Sequence, residues 1–330
     1  MATPDVPHTG THIFLAPSTP TRRTCYDPLM PSRLKIGILA AALSTDPRDA
    51  APRARQLGLA GIEFDAFTPA VSLPDLSQSG LREFRHVLSG QNLELIGLRA
   101  DLGNKGLGPG ADVDRALARI ERAMDAAAGL AAPLVCVDLG PLPEPARAAP
   151  LKPKVNPAEA GLIIIPTAAE LQAASQPEPE VKADPTFESA VDAALAELGR
   201  RADRYSVILA FRSELSSCAA LDRAIRAADC PWFGLDLDPV AILRDRWPID
   251  DIFARLAPLT RHVRARDAVV GHDKRTKPAA IGQGSTNWEQ LLALLDDAAY
   301  HGWLALDPTE LPDRPTATRT ALKHLTDLMA

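Results

Sequence analysis

The chain has 330 residues, 46% of them apolar and 24% charged, which is the composition of a globular protein able to bury a sizeable core. Its net charge of -6 gives no basic stripe of the kind that a nucleic-acid backbone or an anionic membrane surface requires, so neither is expected as a partner. The four cysteines, Cys25, Cys136, Cys218 and Cys230, have neither CxxC nor zinc-site spacing and read as reduced thiols, mostly core, of a cytoplasmic protein.

Residues 1–33 are proline-rich and lack a long apolar run, so they read as a disordered leader. "TRRT" at 21–24 has the look of a twin-arginine export signal, but the apolar stretch that should follow it comes only at 34–43 and serves better as a first strand. Met30 is an alternative start. No segment reaches the roughly 18 uninterrupted apolar residues of a membrane span.

From Leu34 the chain alternates strand-like and helix-like runs. "LKIGIL" (34–39), "GIEFDA" (61–66), "LELIGLRA" (93–100) and "LVCVDLG" (134–140) are the first four strands. The run before the fourth, "VDRALARIERAMDAAAGL", places Leu117, Ile120 and Met124 at helical spacing. The second half continues with strands "SVILAFR" (206–212), "WFGLDLD" (232–238), "RHVRARDA" (261–268) and "WLALD" (303–307), each followed by a helical pattern. Eight apolar strands alternating with helices predict an α/β fold, a closed (β/α)8 TIM barrel over residues 34–330. An open doubly wound sheet is disfavoured, because no glycine-rich fingerprint follows the first strand.

One stretch breaks the rhythm. Residues 141–186, proline-rich and far longer than an ordinary βα loop, form an insertion after strand four, on the end of the barrel where ligands bind. Its "GLIIIP" segment is apolar enough to suggest a lid or a subunit contact, so a homo-oligomer is one expectation.

Charged residues at strand C-termini belong to the functional face of such a barrel. Those residues here are Glu63 and Asp65, Arg99, Asp138, Arg212, Asp236 and Asp238, Arg264 and Arg266, and Asp307. In "HVRARDA" the two-residue alternation puts His262, Arg264 and Arg266 on one face. His262 lies deeper and reads as a satisfied core histidine; His272, in "VVGHDKRTKP", reads as a solvated loop residue. Gly282 and Gly284 in "GQGSTNW" suit a tight turn, with Asn287 as helix cap and Trp288 packed behind it. Trp232 and Trp303, at strand starts, read as packing residues.

The order of "LGLAGIEFDA", "FGLDLDP", "RARD", "GQGSTNW" and "YHGWLALDP" resembles the xylose isomerase-like TIM-barrel family, which includes sugar isomerases and epimerases, inosose dehydratases and zinc endonucleases of abasic-site repair. The resemblance runs from about Leu34 to the C-terminus, outside the insertion. It implies a divalent metal held by a Glu ending strand five, an Asp ending strand six, a His in an HxxD on strand seven and a Glu ending strand eight. The matching positions here are Arg212, Asp238, Arg264 and Asp307, and the family's DxxH on strand six ends in Ala241. A guanidinium has no lone pair to give and stays charged at any working pH, so this set is expected to hold no metal, and no other cofactor is implied. The nuclease reading is disfavoured by the small number of histidines, seven in all.

These residues leave three readings open. In the first, Arg212, Arg264, Arg266 and Arg99 bind a small anionic sugar or sugar acid, with Asp238, Asp307 or Glu63 as general base of a metal-free isomerase or epimerase. In the second, the arginines neutralise leftover aspartates and the protein is a non-catalytic binding or scaffold relative. In the third, Glu214 rescues a metal site together with Asp238 and Asp307.

Overall fold

The computed structural model of the protein describes residues 34–145, 184–245, 249–271 and 275–330. The leader, most of the 141–186 insertion and His272 lie outside these residues.

Eight parallel strands close into a barrel: β1 (Lys35–Leu39), β2 (Gly61–Asp65), β3 (Glu94–Ala100), β4 (Leu134–Asp138), β5 (Ile208–Arg212), β6 (Phe233–Leu237), β7 (Thr260–Ala265) and β10 (Trp303–Leu306). Neighbours in sequence are neighbours in space, and β10 closes the ring against β1 with Ile36 opposite Leu304. The strands missing from this series are a short antiparallel hairpin, β8 (Asp267–Val270) with β9 (Thr276–Ala279), that stands on the barrel after β7. The sequence pattern does not separate it: the run 261–268, read there as a single strand, leaves the barrel at Ala265 and turns into the hairpin at Asp267.

Helices wrap the barrel: α1 (Pro47–Gln56), α2 (Gln78–Gly90), α3 (Val113–Leu130), α4 (Pro185–Tyr205), α5 (Cys218–Ala228), α6 (Pro239–Asp245), α7 (Ile249–Leu256), α8 (Trp288–Asp297) and α9 (Arg314–Leu328). Most begin at a residue chosen for the job. The side chains of Asp46, Ser77, Asp112, Asp184, Ser217, Asn287 and Asp313 each accept a backbone N–H of the first turn. On α3 the residues at helical spacing, Leu117, Ile120 and Met124, are the buried ones. No described helix is long and apolar enough to cross a membrane.

The strand faces that point outward, with Ile38, Ile62, Leu98, Val135, Leu209, Leu235 and Val263, pack under the helices as the main core. The inward faces are different. Leu134, Cys136 and Ala210 form a separate small cluster inside the barrel, and the floor is filled by Trp303, whose ring would meet a Cβ on Gly61 at 2.5 Å. Small inward residues at Cys136, Ala210 and Ala305 leave volume in the middle layer. Long polar side chains from β2 and β7 occupy it.

Candidate functional site

Alternation along the strands delivers the charged residues to one place. Glu63 and Asp65 on β2, Arg99 on β3, Asp138 just inside the end of β4, Arg212 on β5, Asp236 on β6 with Asp238 just past it, Arg264 on β7 with Arg266 just past it, and Asp307 after β10 all face the lumen toward its C-terminal end. They form one connected lattice of ion pairs.

Arg264 is its centre, with 1% of its surface exposed. Its Nε and Nη2 donate to Asp236 Oδ2 at 3.2 and 3.1 Å, and its Nη1 donates to Asp307 Oδ2 at 2.8 Å. Arg99 donates from Nε to Asp65 Oδ1 at 2.6 Å and reaches within 3.9 Å of Asp307. Arg212 pairs with Glu214, lies 3.5 Å from Asp138 and 3.9 Å from Asp236. Arg266 pairs closely with Asp238 and also with Glu310 and Glu214, at 3.0 and 3.2 Å. The sequence pattern sets Arg212 and Arg264 against Asp238 and Asp307; in the structure Arg264 does pair with Asp307, but Asp238 belongs to Arg266, and Asp236, one alternation deeper, is the second carboxylate of Arg264.

These neighbours fix the titration of the buried groups. Burial alone would raise the carboxyls of Asp236 and Asp307, but Arg264, assisted at Asp236 by His262 and at Asp307 by Thr309 and Arg99, holds both below the ordinary carboxylate range. At Asp138 burial wins over Arg212 and the carboxyl is raised. Burial opposes the charge on Arg264 and Arg266, yet the surrounding carboxylates raise both above the ordinary guanidinium value.

Asp267, the acid of "RARD", has a structural task. It accepts the backbone N–H groups of Gly282, Gly284 and Thr286 at 3.1–3.3 Å and Trp288 Nε1 at 3.1 Å, so it ties the "GQGSTNW" loop to the end of β7. Gly284 lies so close that a Cβ there would stand 2.1 Å from Asp267 Oδ1. Gly282 takes φ +83°, and Asn287 caps α8 with Trp288 buried behind it.

Beside the lattice a cleft of about 180 Å³ opens between α6, the hairpin and the β10 end; Arg266, Glu214, Arg244, Glu310 and Asp307 supply its polar wall. A larger hollow of about 440 Å³ lies apart from the lattice, between the loop after β3 and the start of α3. The first residues of the insertion are anchored near the cleft's rim. Leu142 N donates to Ser216 Oγ at 2.6 Å, and Glu144 accepts Ser217 N at 2.8 Å. Arg244 and Glu310 were not legible as site residues, because α6 follows β6 directly where the sequence offers only "DPVA", and Glu310 sits in an irregular turn.

Beneath Arg264 lies a second, sealed group. Glu63 is fully buried, neither of its oxygens has a hydrogen-bond partner, and it sits 3.9 Å from Arg264 Nη2. His262, also buried, is satisfied only on one side: Nδ1 is 2.7 Å from Asp236 Oδ1, while Nε2 lacks a partner and faces Glu63 Oε2 at 3.8 Å. The expectation of a satisfied core histidine therefore holds for half of the ring. Cys136 completes the group.

A scan against protein families matches residues 51–328 to the xylose isomerase-like TIM barrel, and the chain belongs to that family. Solved structures agree at the level of the fold. A xylose isomerase domain protein from Planctomyces limnophilus superposes with a TM-score of 0.65 at 15% identity, over 89% of this chain and 96% of its own. D-psicose 3-epimerase from Clostridium cellulolyticum H10, solved with D-tagatose, gives 0.64 at 12%, over 90% and 99%. A xylose isomerase-like TIM-barrel protein from Mycobacterium smegmatis, solved in complex with magnesium, gives 0.60 at 17%, over 90% and 98%. No curated protein matches the chain.

At the mouth, Arg212 and Arg264 stand at two of the positions that the family resemblance assigns to ligands of a divalent metal. Two of the four matching positions carry guanidinium groups already donating to carboxylates, and Glu214 is engaged by Arg212 and Arg266. Glu214, Asp238 and Asp307 form no cluster with ligand spacing among the described residues; Glu63, Cys136 and His262 do.

Proposed function

We propose that this barrel binds a small polyhydroxylated, carbohydrate-like ligand in the cleft beside Arg266, without a divalent metal at the mouth, and that it has left the metal-dependent isomerase chemistry of its fold. The observation that carries this reading is Arg264, a buried guanidinium in place of an imidazole donor, tied to Asp236 and Asp307. A guanidinium has no lone pair with which to ligate a cation.

The charge of the ligand follows from the lattice. Arg99, Arg212, Arg264 and Arg266 pair with Asp65, Asp138, Asp236, Asp238, Asp307, Glu63, Glu214 and Glu310, so carboxylates outnumber guanidiniums two to one. An anionic sugar, the class that four arginines suggest in the sequence, would have to displace Glu214 and Glu310 from Arg266. A neutral polyol would not: each hydroxyl can donate to a carboxylate and accept from a guanidinium already in place. In this reading Asp238 and Asp307 are acceptors for ligand hydroxyls rather than bases, since a carboxylate held below its ordinary range by Arg264, as Asp307 is, takes a proton poorly. Glu63 is shut away beneath Arg264.

The full pairing of the four guanidiniums favours a second reading, in which the lattice only stitches the barrel top together. Thermal shift and calorimetry with a panel of neutral sugars and polyols, sugar acids and sugar phosphates separate the two. Saturable binding of a neutral member, lost in Arg266→Ala, supports the proposal; binding of charged members alone restores the anionic reading. Binding of none leaves the stitching role.

A further inference from the structure

We propose a second site, beneath the mouth: a buried transition-metal site of the zinc class formed by Glu63, Cys136 and His262 in the middle layer of the barrel. The donor atoms of these three side chains lie within 4.8 Å of one another, all three residues are buried, and no other described residues form such a group. They come from β2, β4 and β7, so the site is distinct from the strand ends where the family places its ligands.

Four observations point to a cation there. First, lone-pair atoms face one another in a sealed pocket: both Glu63 oxygens and His262 Nε2 are buried without a hydrogen-bond partner, with the Cys136 thiol beside them and Arg264 Nη2 no closer than 3.9 Å to Glu63. Buried polar atoms are rarely left in that condition, and each unsatisfied group costs stability. Second, His262 is held as a metal-binding histidine is held. With Nδ1–H donated to Asp236 at 2.7 Å, the tautomer leaves the Nε2 lone pair directed at Glu63, the carboxylate–histidine arrangement that orients an imidazole toward a metal. Third, the Glu63–His262 separation of 3.8 Å suits two ligands on one ion, because bonds of about 2.0–2.2 Å spread tetrahedrally put ligand atoms about 3.3–3.6 Å apart. Fourth, the surroundings are negatively charged: apart from Glu63 itself the lattice holds seven carboxylates against four guanidiniums, and Arg264 and Arg99, which act on Glu63, are paired with Asp236 and Asp307 and with Asp65.

The donor set selects the ion. Sulfur, imidazole nitrogen and one carboxylate suit zinc or cobalt, whereas magnesium, calcium and manganese prefer all-oxygen sites. Three protein ligands leave a fourth position for water. Binding would displace protons. Because the site is sealed, the ion would enter as the chain folds.

The test is spectroscopic and does not depend on any activity. The full-length protein is expressed in cobalt-supplemented medium, purified, and examined for the sulfur-to-cobalt charge-transfer band in the near ultraviolet, with metal content measured by mass spectrometry. The proposal predicts stoichiometric cobalt with that band in the wild type. Cys136→Ala, a small change inside the Leu134 and Ala210 cluster, should remove the band, whereas Cys230→Ala should keep it. His262→Gln should lower cobalt content at least tenfold. Wild-type protein without cobalt, or a band that survives Cys136→Ala, would overturn the proposal. Neither result bears on sugar binding at the cleft.

Discussion

Replacing Arg264 by Met removes a positive charge while keeping a long side chain in the space. Arg264 is 1% exposed and makes three hydrogen bonds to the buried carboxylate of Asp236 and to that of Asp307, whose side chain is mostly covered. Breaking a buried pair by deleting one partner leaves an uncompensated charge and costs about 3–5 kcal/mol. Cavity formation adds little, since Met fills most of the volume. The pH dependence identifies the cause. In the wild type the carboxyls of Asp236 and Asp307 titrate below their unfolded values, so their contribution is complete above about pH 4 and is lost as pH falls through the folded values. Without Arg264, burial is opposed less and these carboxyls rise; the variant then gains relative stability as pH falls from 7 to 5, by roughly 1 kcal/mol for each unit that a carboxyl's pKa lies above its unfolded value within that range. Urea unfolding of both proteins at pH 7 and pH 5 measures this. A deficit below about 1 kcal/mol at pH 7, or an equal deficit at both pH values, would refute the view of Arg264 as the charge that holds the mouth together. Adding Asp236→Leu to Arg264→Met should recover part of the loss, because an apolar pair can replace a buried ion pair.

Other outcomes follow from the same contacts. Asp267→Ala strands the donors of Gly282, Gly284, Thr286 and Trp288 and should cost at least about 2 kcal/mol in chemical denaturation, with Asp267→Asn milder. Gly284→Ala should cost about 1–3 kcal/mol, because its Cβ would stand 2.1 Å from Asp267 Oδ1 and either the loop or the carboxylate must move. Glu310→Gln frees part of Arg266 from a half-exposed carboxylate and should leave stability within about 0.5 kcal/mol of the wild type while strengthening any anionic ligand of the cleft, read by calorimetry. Wild-type stability should fall steeply only below about pH 4, as Asp236 and Asp307 take up protons, followed by circular dichroism.

The barrel was legible because its strands are apolar runs at regular spacing, and alternation alone places Arg99, Arg212, Arg264 and Asp307 at one end. What alternation does not give is depth and reach. Asp236 and Asp238 share a face, so choosing the partner of Arg264 requires knowing how far each strand extends beyond its neighbour, and the register shift between Leu235 and Asp236 against β7 changes that. The charge balance was hidden for a related reason. Glu214 and Glu310 lie in loops that no periodicity locates, and their arrival widens an excess of six carboxylates over four guanidiniums to eight over four. Cys136 reads as an ordinary core thiol on β4; only closure of the barrel brings it to Glu63 and His262. The hairpin was missed because "RHVRARDA" is continuous in β-propensity across the point where the backbone leaves the barrel.

The proposed replacement of the family's metal centre by arginines is tested most directly by titrating the wild-type protein with manganese in a calorimeter, since this hard ion favours the oxygen ligands of the mouth over the thiolate of the deeper group. The account predicts no stoichiometric binding, and no change in melting temperature on adding manganese. Stoichiometric manganese binding that disappears in Asp238→Asn or Asp307→Asn and persists in Cys136→Ala would contradict it.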